Sequence, residues 1–115
     1  MKLPNCEQAF VPKAKVTAYL LSLAHEDGRG KAKFFGRFGF QVEEWQTLAS
    51  ALQHHAAEHE VAKVEESPFG KRYVIEGAMA APDGRSPFVR SVWFIRSGEQ
   101  TPRFVTAYPL TRSRG

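Results

Sequence analysis

The sequence predicts an α+β domain in which three N-terminal helices pack on a four-stranded antiparallel β-meander. Two observations carry this. Apolar residues recur at three- and four-residue spacing up to about position 58. Beyond it, four short runs of strand character are separated by Pro, Gly, Asp and Ser clusters. Helices that precede the strands, instead of alternating with them, gather on one face of an antiparallel sheet. The 115 residues fit a single domain, 1–115, with 110–115 read as a flexible tail.

In the first helix, 13–24, Val16, Tyr19, Leu20 and Leu23 share one face. The stretch His25-Glu26-Asp27-Gly28-Arg29-Gly30 ends it, because two glycines and an Asp break the pattern. A second helix spans 31–38 and is made strongly apolar by Phe34, Phe35 and Phe38. Gly39 then occupies the left-handed C-cap, and Phe40 is placed to pack back on the helix. The third helix, 42–58, carries the stripe Val42, Trp45, Leu48, Ala49, Leu52 and Ala56. Glu43 and Glu44 suit the positive end of its dipole, and His54, His55 and His59 the negative end. The strands are 61–66, 71–78, 88–95 and 103–108. Their turns are Ser67-Pro68-Phe69-Gly70, Ala81-Pro82-Asp83-Gly84 and Ser97-Gly98-Glu99-Gln100, and Pro109 stops the last strand.

Composition narrows the function classes. An apolar fraction of 43%, with nine Phe, three Tyr and two Trp, supports a packed core and argues against disorder. Cys6 is the single cysteine, so neither an internal disulfide nor a cysteine-based zinc site can form. The first residues lack the apolar run of a signal peptide, and the longest apolar stretch, 18–24, is too short to span a bilayer. A cytoplasmic protein with no membrane partner is the expectation. The net charge of +4 and pI near 9.5 favour encounter with polyanions such as RNA, or simply keep the chain soluble.

Alternation along the strands sorts the chemistry-bearing residues into faces. It puts Phe104, Thr106 and Tyr108 on one face of the last strand, and Val105 and Ala107 on the other. In the third strand Arg90, Val92 and Phe94 oppose Val89, Ser91, Trp93 and Ile95. In the second, Lys71, Tyr73 and Ile75 oppose Arg72, Val74 and Glu76. A sheet with interleaved aromatic and cationic residues reads as a binding groove, or as one whose long cations merely cover an apolar rim. His25, with Arg29, Lys31 and Lys33 behind it, supplies a general base and cations for a phosphodiester; equally, it caps a helix ahead of a solvated basic loop. Lys31, Lys33, Lys71 and Tyr73 are the candidates for contact with nucleic acid. Gly28-Arg29-Gly30-Lys31 lacks the preceding strand and full spacing of a phosphate loop. His55 and His59 are four apart with no acidic partner at the required place, so no metal and no cofactor is assigned. Glu65 and Glu66 are adjacent on a strand and face opposite ways, so they are not a carboxylate pair.

Several stretches together resemble an uncharacterised bacterial family of about this length. They are Lys2-Leu3-Pro4-Asn5, residues 25–33 with Phe34-Phe35-Gly36-Arg37-Phe38-Gly39-Phe40, Tyr73-Val74-Ile75-Glu76-Gly77, Pro82-Asp83-Gly84-Arg85, Val92-Trp93 and Val105-Thr106-Ala107-Tyr108-Pro109. A second resemblance is functional. Helices first, four antiparallel strands and a last strand ending Thr106-Ala107-Tyr108-Pro109 look like the ribonuclease toxins of the barnase, colicin and EndoU-like group, including contact-dependent-inhibition ribonucleases. That resemblance implies metal-free RNA cleavage by a histidine, one or two cations, and a Thr or Tyr near the last strand. Thr106 and Tyr108 match the terminal motif, with His25 in the place of the histidine and Arg90 in that of the strand cation. His25 would then deprotonate the ribose 2′-hydroxyl, Lys31 or Arg90 would stabilise the transition state, and Tyr108 would orient the phosphate or protonate the leaving oxygen. The sheet offers no second histidine as general acid. The implied partners are RNA and a small antitoxin or immunity protein. A non-catalytic RNA- or protein-binding module of such a pair is the alternative.

Overall fold

The structure is a computed structural model that describes residues 1–22, 24 and 29–110, of Arg29 only the backbone. Four strands, β1 (Val61–Ser67), β2 (Gly70–Ala78), β3 (Phe88–Arg96) and β4 (Arg103–Pro109), form one antiparallel sheet in the order β1-β2-β3-β4. The helices are α1 (Lys13–Lys15), α2 (Arg29–Arg37) and α3 (Trp45–Glu58). The predicted α+β meander is therefore the fold.

The first two helices depart from their expected limits. α1 runs straight into a π-helical stretch, Val16–Leu20, and Leu21 leaves helical geometry, so the helix does not reach residue 24. The wider π turn still buries Val16 and Leu20 completely while leaving Tyr19 half-buried. α2 ends as its sequence requires. Gly39 has φ 98°, its N–H reaches the Gly36 carbonyl at 3.1 Å, and the Phe40 N–H reaches that of Phe35 at 3.3 Å. Phe40 is buried, its ring edge-on to Phe35 at 6.0 Å. α3 is preceded by a 3-10 turn at Val42–Glu44.

α3 covers one face of the sheet. The rows Tyr73–Trp93–Phe104 and Ile75–Ser91–Ala107 lie beneath the helices and are buried throughout. Within this core a polar chain crosses from helix to sheet. His55 Nε2 donates to the Gly77 carbonyl at 3.1 Å, which leaves Nδ1 to accept the Ser91 hydroxyl at 2.9 Å. Ser91 Oγ in turn accepts the Trp93 indole N–H at 2.9 Å. Burial pushes the His55 imidazole below its ordinary pKa, and this bonding pattern is that of the neutral ring. Gly77 has no side chain because the His59 ring lies where a Cβ would stand, at 2.6 Å.

One strand breaks the expected alternation. The β3–β4 register pairs Val92 with Thr106 and Trp93 with Phe104, so Val105 is the extra residue of a β-bulge. Phe104 therefore turns into the core, edge-on to Trp93 at 5.4 Å, instead of sharing a face with Thr106 and Tyr108. A core-directed aromatic wins because burying the ring outweighs one interrupted ladder bond. The chain before α1 lies along β4, with the Phe10 N–H on the Pro102 carbonyl and the Phe104 N–H on the Phe10 carbonyl, both 2.9 Å.

Candidate active site

The face away from α3 holds three cross-strand rows: Glu76–Arg90–Tyr108, Val74–Val92–Thr106 and Arg72–Phe94–Arg103. The first is tied together. Arg90 Nε donates to Glu76 Oε2 at 2.7 Å, with Nη2 2.5 Å from the same oxygen, and Nη1 donates to the Tyr108 hydroxyl at 3.0 Å. These two contacts, that of Tyr108 first, raise the Arg90 pKa and keep the guanidinium charged.

α1 and α2 pack beside β4 and bring two further groups to this face. Lys31 Nζ donates to the Tyr19 phenol oxygen and to Thr106 Oγ1, the latter at 3.2 Å. The Tyr19 and Thr106 hydroxyls are themselves 3.1 Å apart. Lys31 Nζ lies 4.6 Å from the centre of the Tyr19 ring and 5.8 Å from that of Tyr108, while Arg90 Cζ is 5.3 Å from the latter. Tyr108 is thus flanked by two cations from different layers. Burial raises the Tyr19 pKa, but the Lys31 and Thr106 hydrogen bonds and the charges of Lys31 and Lys15 outweigh it and lower the pKa overall. Beside the cluster a groove of about 400 Å³ is lined by Lys63, Arg72, Glu76, Arg90, Val92 and Tyr108.

Of the residues singled out from the sequence, Arg90, Thr106, Tyr108 and Lys31 converge. His25 lies outside the described residues. Lys33 is exposed on α2. Lys71 and Tyr73 stand on the opposite face of β2, Lys71 3.9 Å from Glu66 and Tyr73 buried in the core, so neither belongs to the cluster. Tyr19 and Glu76 were missed. Tyr19 sits within an apolar helical stripe and reads as core, whereas Glu76 could have been found from its place on the same face as Arg90. Among the described residues there is no group of three or more His, Cys, Asp or Glu able to hold a metal ion. Among them, too, no helix is long and apolar enough to cross a membrane.

Fold and face together define a small α+β domain whose uncovered sheet face gathers tyrosines and cations. Residues 2–111 match the family model of DUF6883, a domain of unknown function, and the chain belongs to that family. No curated protein matches the sequence significantly. Among solved structures, it is similar to a chain of a contact-dependent growth inhibition toxin–immunity protein complex from Klebsiella pneumoniae 342. The TM-score is 0.71 at 16% identity, over 93% of this chain and 97% of that one. At that identity the likeness is one of fold.

Proposed function

We propose that this protein is a metal-independent endoribonuclease of the toxin type, acting on the open face of the sheet. The observation that carries the reading is the convergence of Lys31, Arg90 and Thr106, drawn from α2, β3 and β4, around Tyr108. The ribose 2′-oxygen attacks the adjacent phosphorus, the 5′-oxygen leaves, and a 2′,3′-cyclic phosphate remains. Negative charge grows on the non-bridging oxygens during that step, and Lys31 and Arg90 are cations fixed beforehand on either side of Tyr108. Tyr19 and Thr106 position Lys31, and Glu76 positions Arg90. The Tyr108 hydroxyl, held by Arg90, orients the phosphate or gives its proton to the leaving oxygen. His25, between Tyr19 and Lys31 in sequence, is the proposed base for the 2′-hydroxyl.

The fold shared with a chain of a toxin–immunity complex supports a toxin-like origin and a small immunity-type protein as partner. A second reading, a non-catalytic module binding RNA or protein, is favoured by the Glu76 carboxylate that already neutralises Arg90. One experiment separates them. Purified protein is incubated with total RNA and tRNA in excess EDTA, beside His25→Ala, Lys31→Ala, Arg90→Ala and Tyr108→Phe. Cleavage by the wild type, lowered about 100-fold or more by loss of either cation, is expected. RNA left intact by folded wild-type protein refutes the enzymatic reading.

A further inference from the structure

We propose that the row Arg72–Phe94–Arg103 is a stacking platform for a base of single-stranded RNA a nucleotide or two along from the reacting one. The inference rests on reading the neighbouring row as an RNA site, and it assigns that site's substrate form. Phe94 points to the open face, with an arginine directly beside it on each neighbouring strand. Its ring reaches over Gly70, where a Cβ would meet Cζ at 2.8 Å. A half-buried aromatic ring beside cationic residues in a groove is what base stacking uses, and a base offers a π-face whatever its sequence.

The surroundings suit a polyanion. A groove of about 600 Å³ runs over this row, lined by Lys15, Arg72, Phe94, Arg103 and Val105, with Glu65 and Glu66 at its β1 side. The carboxylates do not close it. Glu65 is 3.7 Å from Arg72, and Glu99 is 4.0 Å from Arg103, both exposed pairs that a phosphate can displace. Glu65 and Arg72 also line the groove beside Tyr108, so the two hollows adjoin. Phe94 is four residues from Arg90 along β3, about 13 Å, a step that an extended single strand covers with its next nucleotides. A duplex holds its bases stacked inside and has none to offer the ring.

The test uses a fluorescent, uncleavable 2′-O-methyl RNA heptamer, whose binding is followed by anisotropy at two salt concentrations. Phe94→Leu keeps the apolar volume and removes the π-face; Phe94→Trp keeps both, and thermal melts confirm folding. Phe94→Leu should bind about 10-fold more weakly, Phe94→Trp like the wild type, and a duplex of the same sequence poorly. Equal affinity of wild type and Phe94→Leu, or no binding by the wild type, overturns the proposal. Binding that depends on Phe94 without any RNA cleavage would refute the enzymatic reading and leave the platform standing. Cleavage with affinity unchanged in Phe94→Leu would do the reverse.

Discussion

Replacing Ser91 with Ala tests the polar chain that joins α3 to the sheet. The hydroxyl is fully buried, donates to His55 Nδ1 and accepts the Trp93 indole N–H. Its loss strands a buried donor and a buried acceptor, each at a cost of about 1–3 kcal/mol. Partial relaxation should bring the sum to about 2–4 kcal/mol, a large share of the roughly 5–15 kcal/mol that holds such a domain together. The melting temperature should fall by about 10–20 °C. Urea unfolding followed by tryptophan fluorescence and circular dichroism measures it, with a lower midpoint and an unchanged slope. The double mutant supplies the control. Adding His55→Leu to Ser91→Ala should cost less than His55→Leu alone, because the stranded acceptor is then gone. A loss below about 0.5 kcal/mol for Ser91→Ala would mean that the chain of bonds contributes nothing of the kind argued.

Other outcomes follow from the same geometry. Burial, aided by the charge of His59 and opposed by the Gly77 carbonyl and Glu58, holds the folded His55 below its ordinary 6.5. The unfolded chain therefore takes up a proton first as the pH drops below about 6.5, and stability should decline from there by up to about 1.4 kcal/mol per pH unit. Urea midpoints across pH 5–8 should show that slope, and His55→Gln should flatten it. Gly70→Ala places a Cβ 2.2 Å from the Ile95 carbonyl oxygen, at φ 150°, so it should destabilise by more than about 2 kcal/mol in thermal melts. The Tyr19 phenol should ionise below the ordinary tyrosine range in an ultraviolet absorbance titration. Lys31→Met should return it toward the ordinary range, and an unchanged titration would contradict the hydrogen bond between them.

What could be read from the sequence was local. Gly39 and Phe40 announce the end of α2 because the cap needs a left-handed residue and an apolar neighbour within one turn. The four strands are legible because Pro, Gly and Asp punctuate them. The buried role of His55 was within reach, since it stands three residues after Leu52 on the helical stripe. The bulge at Val105 was not. Whether Phe104 faces inward depends on Trp93, eleven residues away on another strand, and alternation alone puts it on the wrong side. The partnership of Tyr19, Lys31 and Thr106 was equally hidden, because no spacing in the chain encodes how α2 docks against β4.

That bulge has a practical consequence for altering the protein. Val105 works as a phase shifter: by standing out of the ladder it lets Phe104 face the core while Thr106 and Tyr108, two and four residues on, face the open side. Changes at Phe104 should be felt as folding defects, and changes at Thr106 or Tyr108 as altered chemistry on an intact scaffold. Drawing Val105 into the ladder would return β4 to simple alternation and set the two halves at odds, so that either Phe104 or the Thr106–Tyr108 pair must face the wrong way. A single residue with no functional group of its own thus keeps the core side and the open side of one strand separately adjustable.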